Sequence, residues 1–198
     1  MICDFEKDLM MLFSRPEICG PCKGRCCKRN ACDCLPLNFN NDINKMEEAL
    51  KTGNYAIDFA RRTADAFIWK GEYRTLDIEH ILSTDTEVLY IRPRNKSRPI
   101  VDIIHSKNDE GPCVFWSYEK GCELSYEQRP IFGRTTIPNE NHYPCLSYYD
   151  LFGSARSEMC TEWKPYVKDL FKLTQHFFDE EWSLYKDFKI NLKVTNIG

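Results

Sequence analysis

Apolar positions along this chain repeat with two periods. At helical spacing, Ile2, Phe5, Leu9 and Leu12 predict a short amphipathic helix over 2–13. Arg15-Pro16 ends it, because the residue before a proline is pushed out of the helical region. A second helix is predicted over 43–52, with Asp42 as its N-cap and Gly53 at the C′ position. Trp163, Val167, Leu170, Phe177, Leu184 and Phe188 lie roughly on one face of a long C-terminal helix over 161–189, with Thr161 as cap and Pro165 in the first turn. That stripe reads as core packing, with a partner groove as the lesser alternative. Thr86 to Arg92 and Pro99 to Ile104 are rich in β-branched residues and read as strands. Cys113 to Tyr126 reads as a hairpin turning near Glu119-Lys120-Gly121, and residues 55–70 are ambiguous. The expected class is α+β: a small antiparallel sheet with flanking helices, a cysteine-rich metal-binding loop and a long C-terminal helix, in one domain over 1–198.

Composition narrows the classes. A chain of 198 residues with 42% hydrophobic and 29% charged residues can bury a core without covalent staples. The net charge of −3 disfavours a general nucleic-acid binder. No apolar run approaches the roughly 18 residues that a membrane helix needs. The start, with Asp4, Glu6 and Asp8, lacks the basic and then apolar order of an export signal, so the expected location is the cytoplasm. No Ser-His-Asp, phosphate-loop or dinucleotide pattern stands out.

The cysteines change the picture. Of the 11, Cys19, Cys22, Cys26, Cys27, Cys32 and Cys34 crowd one stretch that ends near Pro36, while Cys113, Cys122, Cys145 and Cys160 are spread through the second half. A disulfide framework fits poorly with an odd count and no export signal. Buried apolar thiols would sit inside periodic apolar runs. The dense group instead lies among Gly20, Pro21, Lys23, Gly24, Arg25, Lys28 and Arg29, which is loop chemistry. Cys19-x2-Cys22 is a chelating step, as in zinc knuckles and iron–sulfur loops. The side chains of adjacent Cys26 and Cys27 diverge, so they serve two ions or two sides of one cluster. Nearby cations offset the charge that several thiolates bring to one ion. His142 is kept as a candidate because it stands three residues before Cys145. A thiol–disulfide oxidoreductase built on Cys19 and Cys22 lacks the strand-then-helix context of that motif.

Three segments together resemble a known family. Cys19-x2-Cys22-x3-Cys26-Cys27, then Gly111-Pro112-Cys113-Val114-Phe115, then Gly121-Cys122 running on to Arg129-Pro130, are similar to the YkgJ-type cysteine-cluster family of zinc- or iron-chelating domains. The resemblance spans roughly 19–150. It implies a fold that brings the early loop beside the hairpin cysteines, with Cys19, Cys22, Cys26, Cys27, Cys113, Cys122 and Cys145 as metal ligands. The family is related to flagellin lysine methylases, which carry a cysteine-bound iron–sulfur cluster, but no methyl-donor motif is present here.

One position departs from the family pattern. A further cysteine is expected after the Arg-Pro pair, and Gly133 stands there. Either Cys32, Cys34, Cys145 or His142 substitutes for it, or the metal keeps an open position of the kind catalytic sites use. A third account is a backbone that needs positive φ at Gly133. Arg129 and Arg134 are candidate cofactor-binding residues, able to hold an anionic group near the metal; their plainer role is to pair with Glu127 or cap carbonyls. The expected function is a cysteine-held iron–sulfur cluster or iron, with redox or catalytic use left open. The alternative is a zinc module serving partner binding. The excess of cysteines over four favours a cluster or two sites. The expected partners are the metal and an unidentified protein or small molecule, with no membrane.

Overall fold

The computed structural model describes residue 23 and residues 32–61, 75–76, 78–102, 111–137, 146–147, 155–181 and 191–192. In chain order the elements are α1 (Ile43–Lys51), β1 (Tyr55–Arg61), β2 (Thr75–Leu76), α2 (Ile78–Ser83), β3 (Glu87–Pro93), β4 (Trp116–Ser117), β5 (Gly121–Cys122), α3 (Ile131–Arg134), β6 (Thr136–Ile137), β7 (Leu146–Ser147), α4 (Ala155–Trp163), α5 (Val167–Glu181) and β8 (Asn191–Leu192). Helices combine with small, mainly antiparallel sheet pairings, which is the expected α+β class. The predicted helix over 2–13 and the early cysteine loop up to residue 31, Lys23 apart, lie outside the described residues, as does the chain over 182–190.

Strands β1 and β3 form the one long pairing among the described residues, antiparallel, with Ile57 opposite Ile91 and Phe59 opposite Leu89. β3 is buried from end to end, because α4 and α5 lie against it and α4 also reaches β1, while α1 lies against β1. A strand covered on both faces is apolar at successive positions rather than alternate ones, which explains Val88, Leu89, Tyr90 and Ile91 in a row. The ambiguous residues after 54 thus begin as a strand, through Arg61.

The segment read as a strand over 99–104 makes only one parallel bridge, Ile57 with Val101. Ile57 N–H donates to the Ile100 carbonyl at 2.7 Å, and Asp102 N–H donates to the Ile57 carbonyl at 2.8 Å. Pro99 has no N–H with which to extend the ladder, and residues 103–104 lie outside the described set. The remaining pairings have two residues per strand; β4–β5 and β6–β7 are antiparallel, whereas β2–β8 is parallel. Among the described residues the small antiparallel sheet expected from sequence is thus one long pair, β1–β3, accompanied by two-residue satellites.

Helix α1 is capped as predicted: the Asp42 carboxylate accepts from Asn44 N–H at 2.9 Å, and Gly53 follows with φ of 71°. The C-terminal helix differs from expectation. It begins at Ala155, before Thr161, whose hydroxyl donates to the Ser157 carbonyl at 3.0 Å and so sits in mid-helix. Pro165 does not sit in a first α-turn; it breaks the helix into a 3-10 turn, Lys164–Tyr166, before α5 starts at Val167. A proline lacks the donor that a continuous helix needs there. The predicted stripe survives the break. Trp163, Val167, Leu170 and Phe177 are all buried; Leu184 and Phe188 lie outside the described residues.

A charged group is enclosed with the apolar core. Arg92 is 1% exposed, with Asp58 and Asp102 buried beside it. Its Nε donates to Asp58 Oδ2 at 2.8 Å, and its terminal nitrogen Nη2 donates to Asp102. Tyr90 donates its hydroxyl to the same Asp58 oxygen at 3.3 Å. Arg98 approaches the other Asp102 oxygen at 3.6 Å. The group joins β1, β3 and the segment after Pro99, and so fixes their register by charge as well as by backbone bonds.

Candidate metal centre

Of the expected ligands, Cys113 and Cys122 are described; Cys19, Cys22, Cys26, Cys27 and Cys145, together with His142, lie outside the described residues. Cys32 and Cys34, which follow the early loop, are also in place. Two anchors hold that segment. Cys34 N–H donates to the Ile91 carbonyl of β3 at 3.3 Å. The Cys34 carbonyl accepts from the indole nitrogen of Trp163 at 2.9 Å. Cys34 and Cys160 are both buried in the main apolar core, the environment of a packing thiol.

Asn38 joins this segment to the one carrying Gly133. Its side-chain oxygen accepts from Leu35 N–H at 3.0 Å and from Ile131 N–H at 3.2 Å, while its amide nitrogen donates to the Arg129 carbonyl at 3.2 Å. Sequence reasoning passed over Asn38, because nothing local marks a residue whose partners lie 91 and 93 positions away. The result is a close contact: a Cβ built on Gly133 would stand 3.2 Å from Cys32 Sγ. Gly133 lies in helix α3 and is absent from the positive-φ residues. The idea that its backbone needs positive φ is therefore corrected; the glycine makes room for the Cys32 sulfur.

Cys113 is set by its own turn. It bridges to Asn95, and Val114 N–H donates to the Arg94 carbonyl at 2.9 Å. A run of ring contacts, Trp163 to Phe39 at 6.3 Å, Phe39 to Tyr55 at 5.6 Å and Tyr55 to Phe115 at 5.6 Å, ties this turn to the helix layer. The predicted hairpin exists in reduced form. Cys122 lies on β5 opposite Trp116, and the turn occupies Tyr118 to Lys120.

The hairpin meets Lys23, the one described residue between Cys22 and Cys32. Trp116 donates its indole N–H to the Lys23 carbonyl at 2.8 Å, and the Lys23 ammonium stands 5.7 Å from the centre of the Tyr118 ring. Gly121 has φ of 76°, and a Cβ there would come within 2.9 Å of the Lys23 carbonyl carbon. Backbone therefore packs on backbone at this point, between the residue that follows Cys22 in sequence and the one that precedes Cys122. Replacing Gly121 with Ala meets both a left-handed backbone and this clash. Gly53, with φ of 71° and nothing within 4 Å, meets only the first. Gly53→Ala is expected to cost about 1 kcal/mol, and Gly121→Ala at least about twice that. Equal costs in urea unfolding would show that the Lys23 contact contributes nothing.

Burial dominates the electrostatics of the thiols. The Cys113 thiol is pushed up to about 11, first by desolvation and further by the charges of Cys32 and Cys122, against the Phe115 N–H and Arg92, which pull it down. Burial likewise raises Cys34, with help from Asp33, Cys32 and Cys113 and against the pull of Arg134. Cys113 and Cys34 hold their protons at neutral pH and are poor nucleophiles as they stand.

Comparison with family models, curated proteins and solved structures gave no match to this chain. Among the described residues, no three His, Cys, Asp or Glu side chains are grouped so as to hold a metal ion. Nor is any described helix long and apolar enough to cross a membrane.

Arg129 and Arg134, the expected cofactor-binding residues, stand just before helix α3 and at its end. Arg129 donates from Nε to the Leu124 carbonyl at 3.3 Å and lies 6.0 Å from the centre of the Tyr126 ring, so it caps a carbonyl. Arg134 accepts the Tyr126 hydroxyl on its carbonyl at 2.9 Å, while its buried Nε has no acceptor among the described residues.

Proposed function

We propose that this chain is a metal-binding protein whose cysteines hold an iron–sulfur cluster or iron, in the manner of the YkgJ-type cysteine-cluster family. The carrying observation is the seat of Lys23 on the hairpin, with its carbonyl bound by Trp116 and its backbone against Gly121. It supports a convergence of the early-loop cysteines on Cys113 and Cys122. The described thiols suit a soft metal in donor chemistry but do not complete a set, and Cys19, Cys22, Cys26, Cys27 and Cys145 are proposed to complete it. A bound metal would displace the protons that burial holds on Cys113, so loading should release protons and strengthen with pH. Free thiols in this number suit a reducing compartment, which makes the cytoplasm the proposed location.

Protein purified without oxygen and assayed for iron, acid-labile sulfide and zinc tests this directly. Iron with sulfide and a broad visible absorption is the expected result. Stoichiometric zinc with no visible band would replace the cluster with a structural site serving partner binding. Less than stoichiometric amounts of both metals would overturn the proposal.

A further inference from the structure

The edge of β1 away from β3 is covered at Ile57. Ile57 gives its N–H to the Ile100 carbonyl and takes the Asp102 N–H on its own carbonyl. Val101, 2% exposed, is buried beside these bonds, and Pro99 brings no N–H to add to them. The chain around this short piece is tied at its base. Asn95 bridges to Cys113, Lys96 N–H donates to the Pro112 carbonyl at 2.8 Å, and Val114 N–H donates to the Arg94 carbonyl at 2.9 Å. A turn follows, in which Arg98 N–H donates to the Asn95 carbonyl at 2.9 Å. Pro99–Asp102 can therefore leave β1 while the points where the chain departs and returns stay fixed.

The charges divide along the same line. Asp58 is satisfied without Asp102: its Oδ1 accepts from Phe59 N–H at 2.7 Å, and its Oδ2 accepts from Arg92 Nε at 2.8 Å and from the Tyr90 hydroxyl at 3.3 Å. Arg92 also donates from Nη1 to the Pro93 carbonyl at 3.2 Å, and it is Nη2 that it commits to Asp102. Withdrawal of Asp102 thus leaves a matched pair in the core, one guanidinium and one carboxylate. Closure with both carboxylates ionised sets two anions against one fully buried cation, and a like charge nearby disfavours the ionised form. The groups that act on Asp102 are Asp58 from β1, Arg92 from β3 and Arg98 from its own segment, while Tyr90 and, through it, Asp33 face the same cluster.

We propose that Pro99–Asp102 is a pH-responsive strap, which leaves β1 by a local opening about the Asn95–Arg98 turn while β1 and β3 stay paired, and does so more readily as pH rises. The closed strap keeps a proton on Asp102 up to about pH 7, whereas the open strap gives it up above about pH 4. Closure is therefore fully favoured below about pH 4 and weakens up to about pH 7, by at most about tenfold per pH unit. Opening uncovers the Ile57 N–H and carbonyl, a donor and an acceptor on a strand edge, where an extended chain can pair. Nothing in this device calls on a metal.

The test is amide hydrogen exchange of the full chain, followed by NMR at about pH 5 and about pH 7, with each rate taken relative to an unstructured peptide at the same pH. At about pH 7 the Ile57 and Asp102 amides should be at least about tenfold less protected than the amides of β3, because a local opening needs less than the whole fold to give way. Their own protection should fall at least about tenfold between the two pH values. Asp102→Asn removes the titrating group but keeps an oxygen for Arg92, so the Ile57 amide should then be equally protected at both. Strap amides as protected as those of β3 would make the opening global and overturn the inference. A flat profile in the wild type would overturn it, as would an undiminished fall in folded Asp102→Asn. Should that variant not fold, the two wild-type comparisons decide alone.

Discussion

Arg92→Met should lower the thermal midpoint by about 10 °C. The guanidinium holds two buried carboxylates, Asp58 and Asp102. Removing it takes the cation from Asp58 and leaves Asp102 with only the more distant Arg98 at 3.6 Å, and breaking a buried ion pair from one side costs about 3–5 kcal/mol. For a chain of this size each kcal/mol is worth roughly 2–4 °C. Methionine keeps much of the arginine's volume, so the loss reports charge rather than a cavity. Adding Asp58→Asn and Asp102→Asn to the same variant should restore part of the midpoint. A midpoint unchanged by Arg92→Met would show that water or a rearranged partner already carries the charge.

The same cluster has a pH signature. Two carboxylates share one fully enclosed guanidinium, and Arg98 is a more distant aid at 3.6 Å. Asp102 is raised to about 7, first by burial and then by the charge of Asp58, against the pull of Arg92 and Arg98. In the unfolded chain it would ionise near 4. Between these values the folded state keeps a proton that the unfolded state releases. The contribution to stability is therefore full below about pH 4 and is lost as pH rises through about 7. Urea midpoints for the wild type and Asp102→Asn should converge at low pH and diverge across that window; parallel curves would assign the slope to other groups.

Stripping the proposed metal should lower the melting midpoint by at least about 10 °C and do so for the whole domain. Structural metal sites contribute their binding free energy to folding, about 10–16 kcal/mol for zinc-finger peptides. Here the donors would come from chain segments as far apart as Lys23 and Trp116, 93 positions. The fluorescence of Trp163, held in the helix layer but bonded to the Cys34 carbonyl, should report the same transition as signals from the cysteine region. Identical melts before and after verified metal loss would mark the centre as peripheral.

Local features of the fold were legible in the sequence, and non-local ones were not. Asp42, α1 and Gly53 could be read because the cap and its partner Asn44 are neighbours. β3 could be read from its β-branched run. The start of the C-terminal helix was missed because Ala155–Trp163 has no single apolar face: Met159 and Cys160 are buried together, and Thr161 and Glu162 are exposed. At the candidate site, the hairpin around Cys122 was legible from Gly121 and its turn. The contact of Cys32 with Gly133 depends on Asn38 gripping residues across the chain, which no spacing rule encodes. The Arg92 cluster was hidden for the same reason. One arginine in a strand is unremarkable until Asp58 and Asp102 are brought beside it.

The anchors described above share one property with a temporal meaning. Trp163 binds Cys34 across 129 positions, Trp116 binds Lys23 across 93, and Asn38 binds Arg129 across 91. Contacts at such separations form late and slowly, because loop-closure entropy is lost before they are made. During that interval the thiols of Cys32, Cys34, Cys113 and Cys160 are unsheltered, and a thiol reaches an oxidant or a wrong partner more easily in an open chain. Maturation of this protein is thus a race between closure of the chain and oxidation of its sulfurs, won by closure only where the surroundings keep thiols reduced for as long as the slowest contact takes to form.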